Sequence, residues 1–262
     1  MTLEVLISCM HQSDWSIIQR TNIQTDVLII NQCDQDTTEK CTFINHWGVE
    51  CQARMIRTTQ RGLSRSRNMA LQNAQGDICI FCDDDEIFEI NYNETILSAF
   101  HTYTNYAIIA FRLNYERKNF PNKVCYYNRF TSGRLSSAQI AFRRVPILKK
   151  NILFDIKLGS GTGNGAGEEN KWLYQLLSKS DIKAIYTPQL IASIHSGNSM
   201  WFHGYNEQFF INYGWTSRQI YGWFLGVLYI IYHVLTHHKL YAPHHTILKI
   251  TQYMFIGYMQ KR

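Results

Sequence analysis

The first hundred residues alternate strand-like and helix-like segments, and this alternation narrows the fold more than any other property of the chain. LEVLISCM, SDWSIIQRTN, DVLIINQ, a polar loop, a strand near ARMIRT, the helix-like RGLSRSRNMALQNAQGD and the oily DICIFC follow one another. Strands interleaved with helices predict a mainly parallel sheet with crossover helices on its faces, an α/β architecture. DICIFC is a short continuous apolar run, as expected of a strand buried on both faces. At its carboxyl end stand Asp83, Asp84, Asp85 and Glu86. Open α/β sheets bind ligands at the carboxyl ends of their strands, so the acids stand where a site belongs.

Further on, the pattern predicts a short helix over 92–100, a strand at AIIAFRL, and hairpins through SAQIAFRR. GSGTGNGAGEENKWLYQLL reads as a glycine loop opening into an amphipathic helix, followed by strands near KAIYT and LIASIH. From about Tyr205 the chain turns aromatic and helical, which predicts a body over 1–204 and a helical extension over 205–262. With 262 residues, 45% of them apolar, the chain can bury one large core with an appendage. A formal charge of +6 suits an anionic ligand or surface, but lacks the density of a nucleic-acid arm, and no nucleic acid is expected as a partner. MTLEVLISCMHQSDW carries Glu4 and only a short apolar run, so it reads as a first strand rather than a signal peptide. Seven irregularly spaced cysteines fit a reducing compartment, and the cytoplasm is the expected location. Cys79 and Cys82, three apart on a strand, should point to opposite faces and share no metal.

Four adjacent acids repel and raise one another's pKa unless a cation, arginines or open water offsets the repulsion. One reading is a solvated acidic turn. An aspartyl-nucleophile phosphatase fits poorly, because its DxDx[TV] pattern follows a first strand, whereas here Glu86 and Ile87 follow and several βα units precede. The third reading is a DxD formed by Asp83 and Asp85, which would hold a hard divalent cation, Mn2+ or Mg2+, against a nucleotide diphosphate.

Arg67 falls on the apolar stripe of Leu63, Ala70, Leu71 and Ala74, so its charge should face inward and need an anion. That anion is either a neighbouring aspartate or a bound diphosphate, with Asn68 beside it. Arg61 and Arg65 are expected in solvent or at a rim. GSGTGNGAG lacks the GK[ST] of a P-loop and matches no GxGxxG, so mobility over a ligand is its expected role. Glu168 and Glu169 open the next helix as dipole partners or as site acids, ahead of a buried stripe of Trp172, Leu173, Leu176 and Leu177. His195 closes LIASIH, either as a structural residue or as a metal ligand. HHKLYAPHH has no acidic or cysteine partner at metal spacing and is expected at the surface.

In order, VLISCM, IINQCDQD, RGLSRSRNMAL, ICIFCDDDE and GAGEENKWLYQL resemble the family 2 glycosyltransferases of the GT-A fold, above all bacterial members that build capsular and other surface polysaccharides. The likeness covers roughly residues 1 to 200. It implies an inverting, metal-dependent transfer of a sugar from a nucleotide donor, with UDP expected, to a glycan or lipid-linked acceptor. By the resemblance, Asp83 and Asp85 hold metal, and Asp34, Arg67, Asn68, Asp83 and Asp84 contact the nucleotide. GEEN stands where the family has a glutamate–aspartate pair, whose second member is the base; Glu169 matches it, with Glu168 as its rival. A noncatalytic nucleotide-sugar-binding or scaffolding protein is the alternative.

QIYGWFLGVLYIIYHVLT is too short and too interrupted for a span of about 20 residues. The tail is therefore expected either to lie on a membrane, making the protein peripheral at its inner face, or to pack on the body.

Overall fold

A computed structural model of the chain describes residues 1–116, 118–194, 204–242 and 245–262. It opens with β1 (Leu3–Met10), α1 (Ser16–Arg20), β2 (Asp26–Gln32), β3 (Thr37–Ile44), β4 (Glu50–Thr58), α2 (Leu63–Asn73) and β5 (Ile78–Asp83). β4, β2, β1 and β5 lie side by side and parallel, so their carboxyl ends share one edge of the sheet. β1, β2 and β5 are covered on both faces, which is why they are apolar over most of their length, whereas β4 alternates buried with more exposed residues. Cys79 packs into the core on one side and Cys82 into the core on the other, as the strand period requires.

The segment expected as a polar loop before β4 contains β3, antiparallel to β4 from Thr37 opposite Arg57 to Ile44 opposite Glu50. β3 is the sheet's edge, exposed and half-buried by turns, so it lacks the continuous apolar run of a central strand.

The second part adds β6 (Glu86–Phe88), α3 (Tyr92–Thr102), β7 (Ile108–Asn114), β8 (Cys125–Tyr127), β9 (Ile140–Arg143), α4 (Arg144–Leu148), α5 (Glu168–Leu176) and β10 (Ala184–Ile194). The strand order is β3-β4-β2-β1-β5-β9-β7-β10-β6, with β8 beside β10. The two strands expected near KAIYT and LIASIH are one strand, β10, over Ala184–Ile194, whose register against β7 slips between Tyr186 and Ala192. Pro188 sits in that interval and has no N–H to give the ladder.

The tail comprises α6 (Glu207–Tyr241) and α7 (Ile247–Met259). Gly222, at φ 74° and ψ −171°, breaks α6. Its limbs, 207–221 and 223–241, fold back on each other, so that the rings of Tyr221 and Tyr229 lie 4.3 Å apart and those of Phe210 and Tyr241 5.1 Å. α7 completes a three-helix unit around Phe210, Ile230, Val234, Ile250 and Met254. It crosses the first limb backbone to backbone: a methyl group added at Gly214 or Gly257 would overlap the carbonyl of Met254 or Ile211. Gly257→Ala is accordingly expected to destabilise the tail by about 1–3 kcal/mol, read as a lower melting temperature with faster proteolysis after residue 204.

Candidate active site

β5 delivers Asp83 to the carboxyl edge of the sheet, and the turn into β6 leaves Asp84 and Asp85 exposed with Glu86 fully buried behind them. Partial desolvation in the crowded turn, and then repulsion from Asp83, raises the pKa of Asp84 and Asp85, and full burial with the same repulsion raises that of Glu86. A cation bound among these acids would relieve that repulsion.

From α2, Arg67 reaches the same point at 2% exposure. Its guanidinium donates to Asp83 Oδ1 at 3.2 Å, to Ser137 Oγ at 2.6 Å and to Glu168 Oε1 at 2.9 Å. One planar fork thus ties the end of β5 to the start of α5. Burial lowers the Arg67 pKa, but Asp83, Glu168 and Glu169 outweigh it and the group is raised overall. The inward arginine expected from the helical period finds its anions inside the protein.

The glycine loop has a defined shape. Gly159, Gly161, Gly163, Gly165 and Gly167 all take φ between 75° and 119°, where a side chain is strained. The Gly159 N–H donates to Gly165 O, and the Leu63 N–H and Ser64 hydroxyl of α2 donate to the carbonyls of Ser160 and Leu158. Gly167 then starts α5, and its N–H donates to Glu168 Oε2 at 3.1 Å. Both Glu168 oxygens are therefore engaged, at 4% exposure. Glu169, one residue on, lines the cavity, and its Oε2 is buried with no hydrogen-bond partner. Burial, followed by the neighbouring Glu168 charge, pushes the Glu169 carboxyl well above the ordinary carboxylate range, with Arg67 opposing.

Both acidic clusters line one cavity of about 1180 Å³, together with Ser8, Met10, Gln32 and Arg61 on the sheet side and residues of α6 on the other. Asp34 and Asn68 are placed differently. The Asp34 carboxylate is 88% exposed and bound to Arg61 at 2.6 Å, outside the cavity lining. Asn68 spends its amide on the backbone of Phe154, donating at 2.9 Å and accepting at 2.7 Å, and does not reach the cavity wall. His195 lies outside the described residues. Two residues went unnoticed in the sequence. Ser137 anchors Arg67, and Lys118 lines the cavity, donating to Arg134 O and Gln139 Oε1 while burial pulls its pKa down to about 8. Both come from the irregular stretch between β7 and β9, where no period marks an inward residue.

Among the described residues, no three His, Cys, Asp or Glu side chains converge as a metal-binding group. A structural cation would need more donors. Two neighbouring carboxylates on a cavity wall do suit a Mg2+ or Mn2+ that completes its shell with water and substrate phosphates.

The mixed sheet, with acids at the carboxyl edge and a helical tail, is a GT-A fold. The sequence matches the glycosyl transferase family 2 model over residues 7–159, more than half of the chain, and the chain belongs to that family. No curated protein matches it. Among solved structures, S. aureus TarS 1–349 superposes with a TM-score of 0.57 at 13% identity, covering 87% of this chain and 66% of that one. The same fragment with UDP-GlcNAc gives 0.57 at 13%, over 87% and 67%. With UDP it gives 0.57 at 11%, over 87% and 66%. The chain spans just under two thirds of the first of these and 39% of the longer TarS structure. At such identity the likeness is one of fold.

Proposed function

We propose that the chain is a metal-dependent, inverting glycosyltransferase that moves one sugar from a UDP-sugar to a hydroxyl of a growing surface polysaccharide or its lipid-linked precursor. The observation that carries this reading is the Arg67 fork, which holds Asp83 and Glu168 together while leaving Glu169 with an unpartnered carboxylate oxygen in the same cavity. The acceptor oxygen bonds to the anomeric carbon, the bond from that carbon to the diphosphate oxygen breaks with its electron pair, and Glu169 takes the hydroxyl proton. Asp83 and Asp85 would hold the divalent ion, which when bound neutralises charge on the departing diphosphate. Arg67, already saturated, acts as a positioning residue that fixes the distance between the two acidic clusters. TarS fragments bind UDP and UDP-GlcNAc on the same fold, which supports a uridine donor.

The cavity divides by charge. Its charged lining, from Arg61 and Arg67 through Asp83, Asp84, Asp85 and Lys118 to Glu168 and Glu169, comes from the α/β body. On the tail side the described lining is uncharged, with Gln208, Asn212, Thr216, Tyr213, Tyr221 and Tyr229. Amides, hydroxyls and aromatic faces suit a neutral sugar, so the charged half takes the donor and the uncharged half the acceptor.

Thermal unfolding with UDP, GDP and CMP, each with and without Mn2+, tests the donor. UDP with Mn2+ is expected to stabilise by about 2.7 kcal/mol at 100 times its dissociation constant. A melting temperature that no nucleotide moves in the presence of Mn2+ sinks the reading.

A further inference from the structure

The second limb of α6, residues 223–241, has two faces with different tasks. Tyr229 points into the cavity, and its hydroxyl meets that of Tyr213 at 3.0 Å. Outward lie Phe224, Leu228, Ile231 and Leu235, at 75, 48, 46 and 63% exposure. Steps of four, three and four put these four on one stripe of the helix. Trp223 and Tyr232 flank it, at 58 and 55% exposure. Ile247 and Leu248, at the start of α7, are exposed as well, Leu248 at 82%. An exposed apolar stripe of this kind needs an occupant.

Its charge identifies that occupant. From residue 204 to 262 the sequence holds five lysines and arginines against one acid, Glu207, which lies at the far end of the first limb. Lys239, four residues after Leu235 and so at the edge of the stripe, is exposed, and Lys249 is exposed on α7. An apolar stripe edged by lysine matches an anionic bilayer, whose acyl boundary takes the stripe and whose headgroups take the cations. The break at Gly222 and the folded-back limbs make α6 a hairpin rather than a 35-residue rod.

We propose that the outer face of the second limb seats the protein on the surface of an anionic membrane. This deepens the transferase reading and rests on it for its consequence. Tyr229 and the stripe share one helix, so the acceptor half of the cavity lies about 10–12 Å, one helix diameter, from the lipid headgroups. An acceptor anchored in the bilayer then reaches Glu169 with its first sugars, and a short lipid-linked saccharide is the substrate class that this geometry serves.

The test is cosedimentation of the full chain with vesicles of phosphatidylglycerol and phosphatidylcholine, beside vesicles of phosphatidylcholine alone. Wild type is expected to pellet with the anionic vesicles and to be released by high salt or carbonate. The variant F224S/L228S/L235S is expected to bind at least tenfold more weakly, because it removes the apolar side chains that would enter the acyl boundary, with UDP binding in the presence of Mn2+ unchanged. These side chains are already in solvent, so the variant should fold, and an unaltered melting temperature checks that it does. K239Q/K249Q, which keeps the stripe, should lose only the preference for anionic lipid. Equal pelleting of wild type and stripe variant overturns the proposal, as does retention in the carbonate pellet, which would mean an integral span. A stable oligomer in solution that the stripe variant dissolves overturns it in favour of a second copy as occupant. Vesicle binding is read without a donor, so its failure is distinguishable from failure of the UDP titration.

Discussion

Glu169→Gln is expected to retain UDP binding and to lose transfer, with turnover falling by about 10²–10⁴-fold, the range for removal of a positioned proton acceptor. The measurement is the initial rate of acceptor-dependent UDP release, with UDP affinity titrated in parallel. A loss of affinity equal to the loss of rate would make Glu169 a binding residue instead. The raised Glu169 pKa adds a second signature. The carboxyl accepts a proton only when ionised, so the acid limb of the wild-type rate should lie above the ordinary carboxylate range. The linkage has the opposite sign for stability. A raised carboxyl binds its proton more tightly in the folded state, so folding is favoured at acid pH and this contribution is lost as pH climbs from the ordinary value toward the raised one. Glutamine cannot ionise, so the variant should melt higher than wild type at pH 8 and no higher at pH 4. Glu168→Gln should behave in the reverse way, since both Glu168 oxygens hold structure together: a lower melting temperature and a smaller loss of turnover.

The parts of this molecule that are visible in its sequence are those where one strong local rule acts alone. β1, β2 and β5 are apolar runs between breakers, and Arg67 falls on an apolar stripe of the 3.6-residue period; each lies where its pattern puts it. β3 escaped because an edge strand with one covered face looks like a loop, and β10 was divided in two by Pro188. Long-range pairings carry no local signal. The Asn68 amide is consumed by Phe154, 86 residues away, and Ser137 meets Arg67 across 70. The two glutamates that open α5 are chemically alike, and the position of Gly167 and of the Arg67 fork separates the one with both oxygens engaged from the one whose Oε2 has no partner.

Arg67→Met carries the second large effect, expected mainly in stability. The guanidinium is buried, and its removal leaves Glu168 and Asp83 facing each other without a cation, at 6 and 38% side-chain exposure. Breaking a buried ion pair from one side costs about 3–5 kcal/mol, because the remaining charge keeps its desolvation penalty. In a chain of this length that lowers the melting temperature by roughly 6–20 °C. Arg67→Lys should recover part of the loss, since the charge returns, yet transfer should stay slow: one ammonium cannot span Asp83 and Glu168 as the two arms of the fork do. The double variant Arg67→Met/Glu168→Gln should be more stable than Arg67→Met alone, the coupling expected when one charge has been buried only for the other. Urea unfolding of the four proteins decides the matter. Should Arg67→Met fall within about 1 kcal/mol of wild type, the range of an exposed pair, the fork would not hold the two acidic clusters together, and Glu169 would owe its place to the glycine loop alone.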